Sequence, residues 1–282
     1  MLPISVVVPT FDRWRLLPRA LDSVRAQTSA PAEVIVIDDG STDGTADRLR
    51  ECYPEVRLLP QDNRGVSAAR NAGIRAAGAP WIAFLDSDDA WDREKLAAQW
   101  AALTAPGESR RLVHTGEIWI RNGRRVNAGR RHRKRDGWVF EQSLELCAIS
   151  PSAALVARSL LDEVGLFDES LPAAEDYDLW LRITCREPVL LVDRPLVVKH
   201  GGHGDQLSAA PALDRYRIRA LARLLENAPL TPGQRRAALE SLLARSEIYL
   251  QGVERRGRGD EARELRERRE RWQAEARRLA TA

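Results

Sequence analysis

The first ninety residues alternate short, almost wholly apolar stretches with amphipathic ones, and this alternation leaves the chain few architectures. The runs Ile4 to Val8, "EVIVIDDG", "VRLLP" and "WIAFLDSDD" read as strands, while "RLLPRALDSVRAQ", "TADRLREC" and "GVSAARNAGIRAA" read as helices between them. In the first helix Leu17, Leu21 and Val24 share one face at the 3.6-residue period. Strands that are apolar along their whole length are buried on both faces. The pattern therefore predicts an α/β fold with a Rossmann-like, mostly parallel sheet flanked by helices. Ligands of such sheets bind beyond the carboxyl ends of the strands.

The polar clusters of this half sit at those ends. Pro9-Thr10-Phe11-Asp12-Arg13 follows the first strand, Asp38-Asp39-Gly40-Ser41 the second and Asp86-Ser87-Asp88-Asp89 the fourth. Adjacent carboxylates raise one another's pKa, so the last cluster needs cations or an array of donors around it. Hard oxygen ligands at a solvent-open strand end suit Mg²⁺ or Mn²⁺ completed by the phosphates of a nucleotide diphosphate. The structural alternative is that Asp88 or Asp89 caps a helix beginning near Asp92. In the second cluster Asp39 is assigned to a ligand and Asp43 to capping the helix that follows. No Gly-x-Gly-x-x-Gly follows the first strand and no Gly-x-x-x-x-Gly-Lys-Ser/Thr occurs, which disfavours a dinucleotide site and a Walker loop.

After Trp91 the pattern changes. "DREKLAAQWAAL" reads as a helix, "RLVHTGEIWI" as a strand, "SAALVAR" as a strand, "SLLDEVG" and "EDYDLWLRIT" as helices, and "PVLLVDRPLVVKH" as a hairpin-like pair. From Pro211 the chain looks entirely helical, and its charged last part reads as a solvated helix. Between these lies "RNGRRVNAGRRHRKR", Arg121 to Arg135, with eight basic residues and no periodicity. It could bind an anionic acceptor, rest on anionic lipid, or be a solvated loop. No aromatic stacking pattern accompanies it, so nucleic acid is not an expected partner.

Three dispersed cysteines, Cys52, Cys147 and Cys185, without Cys-x-x-Cys spacing, read as reduced thiols. No secretory signal and no membrane-spanning run are visible. A cytoplasmic location is expected, with peripheral contact at the inner membrane surface compatible with it.

Taken in order, "SVVVPTFDR", "VIVIDDGSTDGT", "NRGVSAARNAG" and "IAFLDSDD" resemble the donor-binding half of a family 2 inverting glycosyltransferase with the GT-A fold. The resemblance implies a nucleotide-sugar donor, most simply a UDP-sugar, a divalent metal, and a saccharide or lipid-linked acceptor in polysaccharide or glycolipid synthesis. It implies that Pro9, Thr10 and Asp39 line the base and ribose pocket, that Arg70 helps anchor it, that Asp86 contacts the ribose side and that Asp88 holds the metal. An acidic pair is expected in the second half, and "AAEDYDLWLR" supplies Glu175-Asp176, with Asp176 as the base that takes the acceptor proton. In "KHGGHGDQLS", His203 is preferred to His200 as a further metal ligand. The implied organisation is a catalytic domain over 1–208, with a donor half 1–91 and an acceptor half 92–208, and a helical extension over 209–282. A nucleotidyltransferase and a non-catalytic sugar-nucleotide-binding module are the rival readings. The first would be expected to carry a glycine-rich basic signature after the first strand, where this chain has "PTFDRWR".

Overall fold

Strand β1 (Leu2–Thr10) is buried from Ile4 to Thr10, as its unbroken apolar run requires. In the computed structural model, which describes residues 1–127, 129–202 and 213–281, it is a central strand of a mixed nine-stranded sheet. It pairs in parallel with β2 (Pro31–Asp38) on one side and β4 (Trp81–Phe84) on the other, and β3 (Arg57–Pro60) extends the sheet beyond β2. Val7 joins the core on one face with Ile35, Ile37 and Phe84, while Ile4, Val6 and Val8 join the core on the other. Helices α1 (Leu17–Arg25), α2 (Thr45–Cys52) and α3 (Val66–Ala76) fall where the helical periods place them.

Helix α3 lies very close to the sheet. A Cβ on Gly73 would come within 2.4 Å of Val7 Cγ1 and 2.7 Å of Ile37 Cδ1, so a side chain there would push the helix off β1 and β2. This seating carries Arg70, one turn earlier, to the end of β4.

Beyond β4 the sheet is mixed. Strands β5 (Ala90–Trp91), β6 (Leu112–Arg121), β7 (Arg124–Val126), β8 (Leu155–Ala157) and β9 (Leu190–Gly201) follow, in the order β4-β8-β6-β9-β5 with β7 on β6. The expected hairpin-like pair over "PVLLVDRPLVVKH" is one strand. β9 runs parallel to β6 throughout, and Asp193 and Arg194 bulge between Val192, opposite Thr115, and Pro195, opposite Gly116. Gly116 lets the bulge close, since a Cβ there would sit 2.9 Å from the Arg194 carbonyl oxygen.

Helices α4 (Lys95–Leu103), α6 (Arg158–Val164) and α7 (Glu175–Thr184) cover the sheet, and α5 (Phe140–Glu145) packs on α7. α8 (Leu213–Asn227), α9 (Pro232–Arg255) and α10 (Gly259–Thr281) form a helical layer against α5 and α7. α10 is not wholly solvated: Ala262 and Leu265 are buried, and Arg269 reaches Leu243 O at 2.7 Å.

The basic segment has more structure than its composition suggests. Arg121 pairs with Arg124 across Asn122-Gly123, whose φ values of 49° and 74° are those of a type I′ hairpin turn. The chain then runs back along β6. The His132 ring meets Trp119 edge-on at 5.1 Å, Lys134 Nζ reaches Glu117 at 3.0 Å, and His114 Nε2 lies 2.9 Å from the Arg135 carbonyl oxygen.

Burial, with the Lys134 charge adding to it, holds the His114 pKa down at about 4. The unfolded chain therefore binds the extra proton between about pH 6.5 and 4, and stability falls as pH falls through that window. Urea unfolding at pH 7.5 and pH 5 should show a His114 contribution to the loss of about 2 kcal/mol. In His114→Asn that part of the acid sensitivity should vanish; an identical pH slope would show that the imidazole is not its source.

Candidate active site

The ends of β1 and β4, the start of α7 and the end of β9 surround a cavity of about 280 Å³. Pro9, Arg70, Asp86, Asp88 and Asp176 line it, together with Arg13, Cys147, Glu175 and Lys199. Five of the expected site residues are thus brought to one place from widely separated positions.

The three carboxylates of "FLDSDD" do different work. Asp86 Oδ1 accepts from Arg70 Nη2 at 2.6 Å. Burial works to raise its pKa, but the charges of Arg70, Lys199 and Arg13 outweigh it and the net shift is downward. Asp88 Oδ2 lies 3.2 Å from Arg13 Nη1; here burial and the Asp86 charge prevail and the pKa is raised. Asp89 turns away from ligand duty: Ser152 Oγ donates to it at 2.7 Å and the His200 backbone N–H at 3.1 Å. Its burial pushes the carboxyl to about 7. Neither Asp88 nor Asp89 caps a helix, and it is Asp92 that accepts the Glu94 N–H.

Arg70 is buried and bridges the two halves of the sheet. One nitrogen holds Asp86, another donates to Glu175 Oε1 at 2.7 Å, and the guanidinium lies 5.2 Å from the Phe167 ring centre. Glu175 is thereby consumed by a structural pair, with its pKa raised by burial and by Asp176 against the pull of Arg70. Asp176, next along α7, is left at the cavity. Cys147 Sγ donates to its Oδ2 at 3.1 Å, and burial together with that carboxylate pushes the thiol well above its ordinary pKa, so it stays protonated as a donor. The turn into α7 is strained: Ala174, also at the cavity, has φ of 62°, a left-handed conformation unfavourable for a residue with a Cβ.

Lys199 is the charge that reading the sequence missed. Burial disfavours its ammonium, but Asp89, Glu117, Asp86 and Asp176 together raise its pKa. Behind it Glu117 is held down at about 2: burial opposes ionisation, and the charges of Lys134 and Lys199 with donors from Ser150 and Trp119 overcome it. The position of Lys199 beside His200 in "KHGG" was an available signal. For Cys147 there was none, because its partner is 29 residues away and the contact is tertiary.

Thr10 and Asp39 do not line this cavity. Thr10 Oγ1 is buried and makes no hydrogen bond among the described residues. Asp39 accepts from Gln61 Nε2 at 2.6 Å, Arg64 N at 3.0 Å and Gly65 N at 2.8 Å, clasping the loop that leads into α3. Three of its roughly four acceptor positions are occupied. Asp43 receives the Thr45 N–H at the start of α2 at 3.0 Å, close to the capping role expected of it. His203 lies outside the described residues. Among the described residues no group of three or more His, Cys, Asp or Glu side chains is arranged to hold a metal ion. Asp88 Oδ1 carries no hydrogen bond from a described residue, and this cavity-lining carboxylate, with Asp86 beside it, nevertheless suits a hard divalent cation.

Solved structures share this architecture. S. aureus TarS in complex with UDP-GlcNAc matches with a TM-score of 0.70 at 21% identity, over 86% of this chain and 72% of that one. The mannosyltransferase PcManGT from Pyrobaculum calidifontis, in complex with GDP-Man and Mn²⁺, matches with a TM-score of 0.61 at 20% identity, over 89% and 74%. The fold is the GT-A fold. Residues 5–165, more than half of the 282-residue chain, match glycosyl transferase family 2, and the chain belongs to that family. An uncharacterized glycosyltransferase of Rickettsia felis is 30% identical over 210 residues, covering 68% of this chain. One from Rickettsia conorii is 31% identical over 197 residues. The chain spans about a third of the length of these two relatives, 32% of each.

Removing Arg70 should leave the buried Glu175 and the half-buried Asp86 without their cation at once. Arg70→Met is expected to cost about 3–5 kcal/mol in urea unfolding, and Arg70→Lys, which can reach only one partner well, less. A loss below about 1 kcal/mol for Arg70→Met would mean that the bridge contributes little.

Proposed function

We propose that the protein is a metal-dependent inverting glycosyltransferase that moves a sugar from a nucleotide diphosphate, a UDP-sugar, to a hydroxyl of a saccharide or lipid-linked acceptor. The observation that carries this reading is the split between the two acids of α7. Glu175 is locked to Arg70, and Asp176 stands at the cavity that also holds Asp86 and Asp88. Family membership supports transfer of a glycosyl group, and the nucleotide-sugar complexes of TarS and PcManGT support the donor class. Family membership also disfavours the nucleotidyltransferase alternative.

In this reading residues 1–91 bind the donor, 92–208 form the acceptor side and 209–282 are a helical extension. Pro9, Thr10 and Asp39 are assigned to the base and ribose, Asp39 with three of its acceptor positions already taken by the loop before α3. Phe11, half-exposed at the end of β1, adds an aromatic surface for a base to stack on. Asp86 lies on the ribose side. Asp88, with His203, would hold a Mn²⁺ or Mg²⁺ ion, whose chemistry is to offset negative charge on the departing diphosphate. Asp176 accepts the proton of the acceptor hydroxyl as its oxygen bonds to the anomeric carbon. The bond from that carbon to the diphosphate breaks on the opposite side, and the diphosphate leaves with the electron pair. The Cys147 thiol fixes one Asp176 oxygen, and Lys199 and Arg13 balance the remaining charge.

A screen of nucleotide sugars by mass spectrometry with Mn²⁺ present should show one donor hydrolysed or transferred; binding without turnover of any donor would favour a non-catalytic module. Asp88→Ala should lose donor affinity and activity together. Asp176→Ala should keep donor affinity while kcat falls by roughly 10²–10⁴-fold. A near-native kcat in Asp176→Ala would move the base elsewhere. By calorimetry, UDP should bind more weakly in EDTA than with Mn²⁺; equal affinity would remove the metal from the donor site.

A further inference from the structure

Among the described residues of the strip from Arg121 to Trp138, none lines the donor cavity, and their side chains divide by direction. His132 and Lys134 turn inward, against Trp119 and onto Glu117, and Lys134 Nζ also reaches Ala148 O at 2.9 Å. These contacts rivet the strip to β6. Arg131, Arg133 and Arg135, at alternate positions, are exposed, as are Arg124 and Arg125 on the hairpin. Among the described residues none of these five arginines forms an ion pair with a carboxylate within 4.0 Å. The nearby acid, Asp136, is already engaged by Arg110 at 3.0 Å and by the Leu191 N–H at 2.7 Å. Just beyond it Trp138 is 65% exposed, a large ring left mostly in water.

We propose that this strip docks the protein on an anionic lipid surface, with the arginines over the headgroups and Trp138 at the headgroup level. Basic residues next to an anionic leaflet are each attracted to it within about a Debye length, and an indole ring is suited to the interface because one edge is polar and the body apolar. The exposed ring favours a bilayer over a soluble polyanion, which could use the guanidinium groups but gains little from an exposed apolar ring three residues further along the chain. The rivets matter for the same reason: a strip already ordered along β6 loses little conformational entropy when it meets a flat surface. Lys134 links the strip to Glu117, which lies next to Lys199 of the cavity, so a docked protein would hold its acceptor side near the lipid. Docking itself does not depend on the transfer reaction and can fail separately from it.

Co-sedimentation of the full chain with phosphatidylcholine vesicles, with and without phosphatidylglycerol, tests this. Binding is expected only when phosphatidylglycerol is present, and it should weaken several-fold between low and physiological salt. The triple variant Arg131→Ser, Arg133→Ser, Arg135→Ser should bind roughly a hundredfold more weakly, about fivefold per arginine. Trp138→Ser should bind several-fold more weakly while keeping the salt dependence. Circular dichroism and the thermal midpoint establish that these variants are folded. The inference is overturned by equal binding to neutral vesicles, by no binding to anionic vesicles at low salt, or by folded variants that bind like the native chain. Arginine-dependent retention on heparin without vesicle binding would also overturn it and assign the strip to a soluble polyanion.

Discussion

Asp86, Asp88, Asp89, Glu175 and Asp176 meet at one end of the sheet, and in a folded chain they can do so only among compensating cations. Arg70 bridges Asp86 and Glu175, Arg13 meets Asp88, and Lys199 stands within reach of the fields of Asp86, Asp89 and Asp176. These cations come from α3, the loop after β1 and the end of β9. No segment of the chain can assemble the site alone. Breaking one partner of a buried pair leaves an uncompensated charge, so the charge balance at the site and the joining of the two halves of the sheet are one structural problem.

Backbone geometry delivers these charges. Gly73 allows α3 to lie against β1 and β2, which places Arg70 at the end of β4. Gly116 accepts the bulge of β9, and beyond that bulge the strand continues to Lys199 and His200. Ala174, in its left-handed conformation, turns the chain into α7 so that Glu175 points to Arg70 and Asp176 to the cavity. Neighbouring acids thus acquire different duties: Glu175 and Asp89 hold structure together, Asp88 keeps Oδ1 clear of hydrogen bonds from described residues, and Asp176, whose two oxygens accept from Tyr177 N and Cys147 Sγ, keeps further acceptor positions at the cavity.

The strands and helices of the first ninety residues were legible because their signals are local. Full-length apolar strands, the 3.6-residue period and acidic strand ends appear in any window that contains them, and the four motifs placed most of the site at the carboxyl edge of the sheet. Local signals were also overlooked. Asn122-Gly123 is one, a type I′ hairpin turn inside the basic segment. In β9 the Asp193-Arg194 pair resembled a turn, yet it is a bulge, because β6 offers Gly116 opposite it and pairing continues on both sides.

The amino-acid sequence by itself determined the class of fold, the edge at which the acids gather and the identity of the acidic pair in the second half. Only the tertiary structure decided which acid of each cluster is spent on structure. Asp39 resembles a ligand in sequence and in the fold accepts three hydrogen bonds from the loop at 61–65; Arg70 could have been an exposed helix arginine but is a buried bridge; Cys147 joined the site without any local signal, and Lys199 with only its place in "KHGG" to mark it. The physical reason is range. Periodicity and turn chemistry act between neighbours in the chain, whereas the fate of a carboxylate depends on which donors and cations other elements bring within a few ångströms, and that is settled only when the sheet closes around them.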